Sequence, residues 1–461
     1  MQVRARAACA LRETMHPTLG FSMIVKNGRE TLRGCLESVR GMVSELVVCD
    51  TGSTDGSQEI ARECGARVIS IPWESDFARA RNAAVDNCTT DWVLTLDADE
   101  ELDSEAKRLL PRLLDKPRIG GYAVPVRNYL PLRHGNVNGN RAQPNDGRSK
   151  SNLTAPAYAE HLVVRLFRRH PHIRYTGCVH EVIAPQILAA GFKLGRATFC
   201  VHHSGFMSGH ERYGQKAEFY LDLLRRKVEQ EPRNPLAWLE LARQLHEPFR
   251  RNEEALQCTG RALALAPGMA SAWFLNGVVY LEMGRDQEAL AALERSGGDG
   301  ESAAEREHYR GDALHNLGSF KEAEAAYSRS LALVGHDPQL ESKLGYVEVR
   351  LGQYKTGFGR MEAALAILPR GAELHERLIK ACVAAGRVQE AAIAAERFAS
   401  AVPHPKTFLR AAALRAHLKQ HDTALDLISR GLLAFPQSAE LRNAQNQLRG
   451  DGQRAAAAPG G

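Results

Sequence analysis

The sequence lacks the features that mark membrane and secreted proteins. No run approaches the roughly eighteen consecutive apolar residues that a membrane-spanning helix needs. The 9 cysteines are odd in number, lie singly along the chain and never form a CxxC pair. In a chain of this size, scattered thiols are typical of a reducing compartment. We therefore expect a cytoplasmic protein with no transmembrane segment.

The chain also lacks a strong excess of either charge. Lys and Arg number 60 against 54 Asp and Glu, which gives a formal net charge of +6 over 461 residues. This balance gives no reason to expect a nucleic acid partner. A hydrophobic content of 44% and a charged content of 25% are ordinary for a globular protein. The length predicts two to four domains.

Both ends of the chain are expected to be disordered. The start, MQVRARAACALRETMHP, is basic, but its apolar run AACAL is too short for a secretory signal. We interpret residues 1–19 as a disordered leader and residues 451–461 as a disordered tail.

Residues 20 to about 115 alternate short apolar runs with helical stretches. Strand-like runs are FSMIV (21–25), ELVVCD (45–50), ARVISI (66–71) and WVLTL (92–96), with helices expected over 30–39, 57–64 and 77–87. This alternation predicts a parallel α/β sheet with crossover helices. Ser57 is expected to cap the second helix and Gly65 to end it.

Polar segments follow three of these strands. Lys26 and Asn27 follow the first, the loop DTGSTDG (50–56) follows the second, and DADEE (97–101) follows the fourth. Parallel α/β sheets bind ligands at the carboxyl ends of their strands. The sequence therefore predicts a binding site at this edge of the sheet.

The acidic segment after the fourth strand has two interpretations. It can be a solvated loop that begins a helix, because acids stabilise a first helical turn. Alternatively, Asp97 and Asp99 lie two residues apart where a strand ends, so both carboxylates can point to one face. Mg²⁺ and Mn²⁺ prefer such oxygens together with phosphate oxygens. A cation there would neutralise a diphosphate leaving group as its bond to a sugar breaks.

Other residues are placed at the same edge. Asp50 can accept hydrogen bonds from a nucleotide base or ribose, although the loop after it can equally be an ordinary turn. Arg81 and Asn82 reach this edge if residues 77–87 are helical. Arg81 then serves either as a structural ion pair or as a phosphate clamp.

Residues 116–209 differ in composition and pattern from the residues before them. The segment 133–156 is rich in Gly, Asn and Pro and is expected to be a mobile loop. Strand-like runs follow at 161–169, 179–183 and 197–206. We expect these strands to extend the sheet and wall the site.

The rest of the chain repeats itself. Six small residues are spaced by 34, 34, 34, 34 and 33 residues: Ala255, Ala289, Ala323, Gly357, Ala391 and Ala424. Twelve residues after them come Pro267, Glu301, Gly335, Pro369, Pro403 and Pro436. This period resembles the tetratricopeptide repeat. We expect a linking helix over 210–233, then repeats with a capping helix over 234–450.

The motifs of residues 20–102, in their order and spacing, resemble the family 2 glycosyltransferases of GT-A fold. The matching segments are FSMIVKNGRETLRGCLESV, ELVVCDTGSTDGS, IPWESDFARARNAA and WVLTLDADEEL. With the repeats, they look most like the bacterial branch that carries C-terminal tetratricopeptide repeats. The resemblance implies an α/β GT-A (Rossmann-like) nucleotide-sugar-binding domain over 20–209, followed by an all-α tetratricopeptide-repeat solenoid.

The resemblance also implies roles for particular residues. Asp50 and Asp55 would contact the nucleotide. Asp97 and Asp99 match the family's DxD and would hold Mn²⁺ or Mg²⁺, with Asp99 favoured over Asp97 as the direct ligand. The donor-binding set it implies is Lys26, Asn27, Asp50, Asp55, Arg81, Asn82 and Asp97. One departure is Ala78, which stands where the family usually has Ser before its Arg-Asn pair.

Two later segments match elements of the same branch. HSGF (203–206) makes His203 a candidate third metal ligand, with His202 next to it as the alternative, and Ser204 replaces an aromatic residue. YTGCVHEVI (175–183) contains Glu181, the candidate general base, and His180, the alternative. Family 2 enzymes invert the anomeric centre, which requires one such base.

The leading hypothesis is a metal-dependent inverting transferase. It would move a sugar from a nucleotide-diphosphate donor, chiefly a UDP-sugar, to a protein, peptide or glycan acceptor presented with help of the repeats. One alternative is an interaction scaffold with a catalytically inactive α/β domain. A nucleotidyltransferase is a third possibility, but the glycine-rich phosphate loop it needs after the first strand is missing from VKNGRE (25–30).

Overall fold

A computed structural model describes residues 17–131, 136–137, 140–205, 211–297 and 303–457. The chain divides into two compact units between Arg251 and Asn252. Most of the leader (1–16), Phe206 of the HSGF segment, Glu301 of the repeat series and residues 458–461 of the tail lie outside the described residues.

The first unit is built on a large mixed sheet. Its strands are β1 (Leu19–Val25), β2 (Glu45–Asp50), β3 (Arg67–Ser70), β4 (Trp92–Thr95), β5 (Glu100–Leu102), β6 (Ile119–Leu130), β9 (Gln143–Pro144), β10 (Ala157–Arg168), β11 (Lys193–Arg196) and β12 (Val201–His203). A separate hairpin pairs β7 (Asn136–Val137) with β8 (Asn140–Arg141). Helices α1 (Leu32–Ser38), α2 (Ser57–Glu63), α3 (Phe77–Asp86), α4 (Ala106–Leu114) and α5 (Ala184–Ala189) connect the strands.

The sheet has a parallel half and a mixed half. Its strand order is β3-β2-β1-β4-β10-β6-β12-β5, with β9 paired to β10 and β11 to β6. The first four strands run parallel, as their alternation with helices predicts, and β10 joins β4 in the antiparallel direction. The carboxyl ends of β1, β2 and β4 therefore meet at one edge.

Burial on both faces of the parallel strands explains their unbroken apolar sequences. All four residues of β4 are buried, and β1 is buried except for one partly exposed position. Trp92, Phe21 and Phe167 are among the largest side chains with no appreciable exposure. This packing fixes where the strands end, and so where the polar segments begin.

Four sequence-based expectations need correction. Glu100 and Glu101 form the short strand β5 with Leu102, so the interpretation of the acidic segment as a helix start is wrong. Residues 179–183 are no strand, because the positive φ of Gly177 and His180 turns the chain, and only an isolated bridge joins Thr176 to Val182. In the described part of 197–206, which ends at residue 205, only 201–203 is a strand. Gly56, with φ of 90°, holds the N-cap position expected of Ser57.

Two longer helices complete the first unit. They are α6 (Glu211–Gln230) and α7 (Pro235–His246). Buried Lys227 on α6 donates to the carbonyl of Val179 at 3.0 Å and to Glu240 of α7 at 2.7 Å. Because a buried ammonium is retained only where acceptors satisfy it, this contact fixes the segment around residue 179 against the two helices.

The second unit consists of helices, each packed on its neighbours along the chain. Its helices are α8 (Asn252–Leu265), α9 (Ala270–Glu282), α10 (Asp286–Arg295), α11 (Ala303–Asn316), α12 (Phe320–Val334), α13 (Pro338–Arg350), α14 (Tyr354–Ile367), α15 (Ala372–Ala384), α16 (Val388–Ala401), α17 (Pro405–His417), α18 (His421–Ala434) and α19 (Ala439–Ala457). The last helix extends into the segment expected as a disordered tail.

The small residues of the repeat series lie where these helices touch. All six are buried, and a Cβ built on Gly357 would meet the carbonyl oxygen of Gly345 at 2.5 Å. Close backbone approach thus requires a small side chain at this position, as the repeat pattern predicts. None of the helices among the described residues is long and apolar enough to cross a bilayer.

Candidate active site

The loop after β2 is organised by the carboxylate of Asp50. This buried side chain accepts hydrogen bonds from the backbone N–H groups of Gly52 and Ser53, both at 3.0 Å, and from the amide of Gln58 at 2.8 Å. Burial works against the charge, but these donors lower the pKa of Asp50. The charged carboxylate therefore holds the loop in shape at the end of the strand.

Side chains also tie this loop to the one after β1. The backbone N–H of Asn27, which has a positive φ of 54°, donates to the hydroxyl of Ser53 at 2.9 Å, and its side-chain oxygen accepts from Thr54 at 2.9 Å. Asp55 accepts from the backbone N–H of Arg29 at 2.9 Å. Lys26 lies beside them with an exposed side chain.

Ser57 takes part in the same network, although it is not the helix cap. Its hydroxyl accepts from the backbone N–H of Gly28 at 2.9 Å and donates to Asp55 at 2.6 Å. This donated hydrogen bond is the main reason for the lowered pKa of Asp55. Two of the three predicted polar segments are thus one connected structure.

Asp97 lies between two arginines. Its Oδ1 accepts from Arg81 at 2.7 Å, and its Oδ2 accepts from Arg165 at 2.9 Å. Although burial opposes the charge, Arg165 and then Arg81 hold the pKa of Asp97 well below its usual range. Both oxygens of this carboxylate already have cationic partners within the protein.

Arg165 connects Asp97 to a second acid. Its guanidinium also donates to Glu100, which is 3% exposed and accepts from the backbone N–H of Asp97 at 2.9 Å. Burial raises the pKa of Glu100, and the charge of Asp97 adds to the rise, although Arg165 opposes it. Glu100 therefore supports the turn that carries Asp97.

Arg81 connects Asp97 to the candidate base. This buried residue on α3 donates through Nη2 to Asp97 and through Nε to the carboxylate of Glu181. The structure thus brings together three residues that lie 16 and 100 positions apart in the sequence. Arg81 was expected to form either a structural ion pair or a phosphate clamp, and the structure shows the ion pair.

Asn82 and His180 hold the neighbouring segment in place. The Asn82 amide forms two hydrogen bonds with the backbone of Tyr175, both at 2.9 Å. His180 has a φ of 50° and stacks on Tyr220 of α6 with ring centroids 6.1 Å apart. Burial lowers the pKa of His180. Both residues shape the turn that presents Glu181.

Asp99 faces His203 across the strand pair β5–β12. The carboxylate Oδ2 lies 3.4 Å from the imidazole Nε2, and Gly205 packs so tightly that a Cβ there would meet both side chains within 3 Å. About a third of the Asp99 side chain is exposed. Burial works against a charged ring, but Asp99 raises the pKa of His203.

A hydrogen-bonded relay sets the orientation of His203. Its Nδ1 lies 2.7 Å from the side-chain oxygen of Asn128, whose amide nitrogen lies 2.8 Å from Nδ1 of His161. An amide oxygen can only accept, so Nδ1 of His203 carries a proton, and Nε2 is the ring nitrogen that faces Asp99. The relay crosses the neighbouring strands β12, β6 and β10.

His202 faces away from this pair, because successive side chains of a strand point to opposite faces. Its Nδ1 lies 2.9 Å from the hydroxyl of buried Tyr129, and its Nε2 lies 3.9 Å from the sulfur of Cys200. Of the two adjacent histidines, His203 is the one beside Asp99.

Sequence reasoning missed Arg165, Glu100, Asn128 and His161. Arg165 had a usable signal, since a charged residue within the apolar run HLVVRLF stays buried only with a partner. The strands predicted from the sequence do not include β6, which carries Asn128. Asn128 and His161 gave no local signal, because their roles depend on the register of three strands.

Two family patterns match separate parts of the chain. Glycosyl transferase family 2 matches residues 21–173, and the tetratricopeptide repeat matches residues 249–303 and 342–404. The first match contains all three polar segments of the site.

Curated relatives agree with both patterns. A TPR repeat-containing protein of Synechococcus elongatus is 30% identical over 326 residues, which are 66% of this chain and 69% of the relative. The prophage-derived glycosyltransferase SunS of Bacillus subtilis is 24% identical over 243 residues, 52% of each chain. The lipopolysaccharide core biosynthesis glycosyltransferase LpsC of Rhizobium meliloti is 35% identical over 124 residues, 25% of this chain and 45% of the relative.

The chain thus spans about half of SunS, slightly less than half of LpsC and about two thirds of the repeat protein. It belongs to the family 2 glycosyltransferases and carries tetratricopeptide repeats. The resemblance inferred from its motifs is confirmed.

Proposed function

We propose that the protein is a metal-dependent, inverting glycosyltransferase that uses a UDP-sugar. The observation that carries this proposal is the placing of Asp99 and His203 beside the group formed by Arg81, Asp97 and Glu181. A cation site, a guanidinium and a carboxylate base then lie at the edge where the parallel strands end. These are the elements needed to stabilise a diphosphate leaving group and to accept a proton.

Asp99 and His203 would hold the metal. Their facing oxygen and nitrogen are 3.4 Å apart, close to the roughly 3 Å between adjacent ligands of one octahedral ion with bonds of about 2.1 Å. A carboxylate with a neutral imidazole suits Mn²⁺ better than Mg²⁺, which prefers oxygen ligands. When bound, the ion would supply positive charge to the diphosphate. Asp97, already paired with two arginines, is left to position Arg81.

The remaining residues would bind the donor and activate the acceptor. The connected loops that contain Lys26, Asn27, Asp50 and Asp55 would bind the nucleotide, and their small side chains would allow it to approach closely. Glu181 would take the proton of the acceptor hydroxyl as its oxygen bonds to the anomeric carbon and the bond to the diphosphate oxygen breaks. Attack from the face opposite the leaving group inverts that carbon.

The repeats are proposed to bind the protein or peptide that carries the acceptor. Solenoids of this kind are extended binding surfaces whose repeats contact mainly their neighbours. All eight cysteines among the described residues are free thiols. This state supports the proposal that the protein works in the reducing cytoplasm.

The test is donor hydrolysis and acceptor transfer, measured across a panel of nucleotide sugars with and without Mn²⁺. The full chain is compared with a fragment of residues 1–251, which retains every described residue of the first compact unit, including α7. We expect both proteins to hydrolyse one UDP-sugar only when Mn²⁺ is present. Transfer to the natural acceptor should fall much further in the fragment, since remote contacts orient the reacting group.

The outcomes separate the two parts of the proposal. Hydrolysis of no nucleotide sugar by the folded full chain would favour an inactive domain on an interaction scaffold. Full acceptor transfer by the fragment would exclude the repeats as the acceptor platform.

Asn128→Leu is expected to weaken Mn²⁺ binding by about 10 to 100-fold, because it removes the partner that orients His203. Manganese affinity, measured by electron paramagnetic resonance, reports this effect without any dependence on turnover. Asn152→Leu, which removes another buried amide with a local partner, is the matched control. Equal manganese affinity in Asn128→Leu and the wild type would show that the relay does not position His203.

A further inference from the structure

A second cluster of metal-ligating side chains lies on the opposite face of β12 from His203. The end of β5 brings Asp103 beside Cys200, and the backbone N–H of Asp103 donates to the Cys200 carbonyl at 3.0 Å. His202 follows two residues later on the same face as Cys200. All three are buried, with exposures of 5%, 3% and 5% in the order Asp103, Cys200 and His202.

The ligand atoms of these residues converge. The sulfur of Cys200 lies 3.3 Å from Oδ2 of Asp103 and 3.9 Å from Nε2 of His202, and all three atoms lie within 4.8 Å of one another. Adjacent ligands of a tetrahedral zinc ion are about 3.3 to 3.6 Å apart, given bonds of about 2.0 to 2.3 Å. To reach that geometry, the sulfur of Cys200 and Nε2 of His202 would approach by a few tenths of an ångström. The oxygen of Asp103 and Nε2 of His202 would approach by somewhat more.

Two of the three possible ligands, His202 and Asp103, have outer partners that can orient them. The hydroxyl of Tyr129 lies 2.9 Å from Nδ1 of His202, which leaves Nε2 free to bind a metal. Asp103 accepts from the backbone N–H of Glu105 at 2.9 Å through Oδ1 and lies 2.9 Å from the guanidinium of Arg148 through Oδ2. Metal-binding histidines and carboxylates commonly have such hydrogen-bonded partners.

Arg148 is the contact that most opposes a cation here. Its charge is shared, however, because the same guanidinium nitrogen lies 2.7 Å from Glu105. A divalent ion bound by the Cys200 thiolate and the Asp103 carboxylate forms a neutral group. The total charge of that group together with Arg148 and Glu105 is then also zero.

We propose that Asp103, Cys200 and His202 form a zinc site, separate from the Asp99–His203 site. Zinc fits this set because thiolate and imidazole ligands select it over Mg²⁺ and Mn²⁺. On binding, the ion replaces the thiol proton of Cys200, which leaves to solvent. Three protein ligands leave one position for a water molecule. Bound there, the ion would link the end of β5, which directly follows Asp99, to the start of β12, which carries His203.

The test uses Co²⁺ as a spectroscopic substitute for zinc in the purified full chain after removal of metals by a chelator. We expect an ultraviolet thiolate-to-cobalt absorption that saturates at one ion per chain and disappears when Zn²⁺ is added. Cys200→Ala should abolish this absorption. Cys88→Ala, which removes another buried thiol of the first unit, and Asp99→Ala should leave it intact.

A second variant keeps the proposal testable if Cys200→Ala does not fold. Tyr129→Phe leaves all three ligands in place and should weaken Co²⁺ binding by about 10 to 100-fold. The absence of a thiolate absorption in the folded wild type would overturn the proposal. Persistence of that absorption in Cys200→Ala, or its loss in Cys88→Ala, would overturn it equally.

Discussion

Asp99→Ala is expected to abolish sugar transfer and the Mn²⁺-dependent part of nucleotide binding, while the fold survives. The carboxylate is about one-third exposed and faces His203 at 3.4 Å, so its removal takes away a proposed metal ligand without opening the core. Loss of several kcal/mol of charge stabilisation corresponds to a decrease in turnover of at least about 10² to 10³-fold. The measurements are transfer rate and calorimetric UDP affinity, each with and without Mn²⁺.

The neighbouring acids provide the comparison. Glu101→Ala removes a carboxylate that accepts from the hydroxyl of Ser151 at 2.9 and 2.7 Å, and it should leave the Mn²⁺ dependence unchanged. Asp97 is unsuitable as a control, because its removal leaves Arg81 and Arg165 without a shared acceptor in a buried site. UDP affinity that is independent of Mn²⁺ in the wild type would contradict the assignment of Asp99.

The parallel half of the sheet could be predicted from sequence because its signals are local. Strands β1, β2 and β4 are apolar runs that end in polar residues, and each lies within two residues of its expected position. Since parallel strands end at one edge, placing Asp50 and Asp97 near each other needed only this topology. The repeats could be predicted from sequence equally well, since their period appears in residues such as Ala289 and Ala323. Both residues are buried as expected.

The side-chain contacts within the site could not be predicted in this way. Arg81 contacts Glu181 across 100 residues, and His203 depends on Asn128 across 75 residues. Such contacts follow from sheet register and helix packing, and no short segment of the sequence encodes them. The segment 179–183 shows the same limit: its apolar pattern predicts a strand, but the positive φ of His180 makes it a turn held by α6.

Glu181→Gln is expected to lower turnover by about 10² to 10⁴-fold while UDP affinity stays nearly unchanged. Glutamine has the same shape, and its side-chain oxygen can still accept the hydrogen bond that Arg81 Nε donates to the carboxylate. The substitution therefore removes the proposed proton acceptor and keeps the contact that positions Arg81. A residue whose only role is to hold Arg81 would tolerate this change.

This distinction makes glutamine more informative than alanine. Glu181→Ala would also release the guanidinium from Glu181, which is only 12% exposed, and a fall in turnover could then come from a displaced Arg81. The decisive comparison is the turnover of the Gln variant against its UDP affinity, with the same donor and Mn²⁺ concentration. If turnover stays near that of the wild type, Glu181 only positions Arg81, and His180, whose pKa is lowered by burial, becomes the candidate base. His180→Gln then provides the matching test, because a neutral imidazole beside the acceptor can take the same proton.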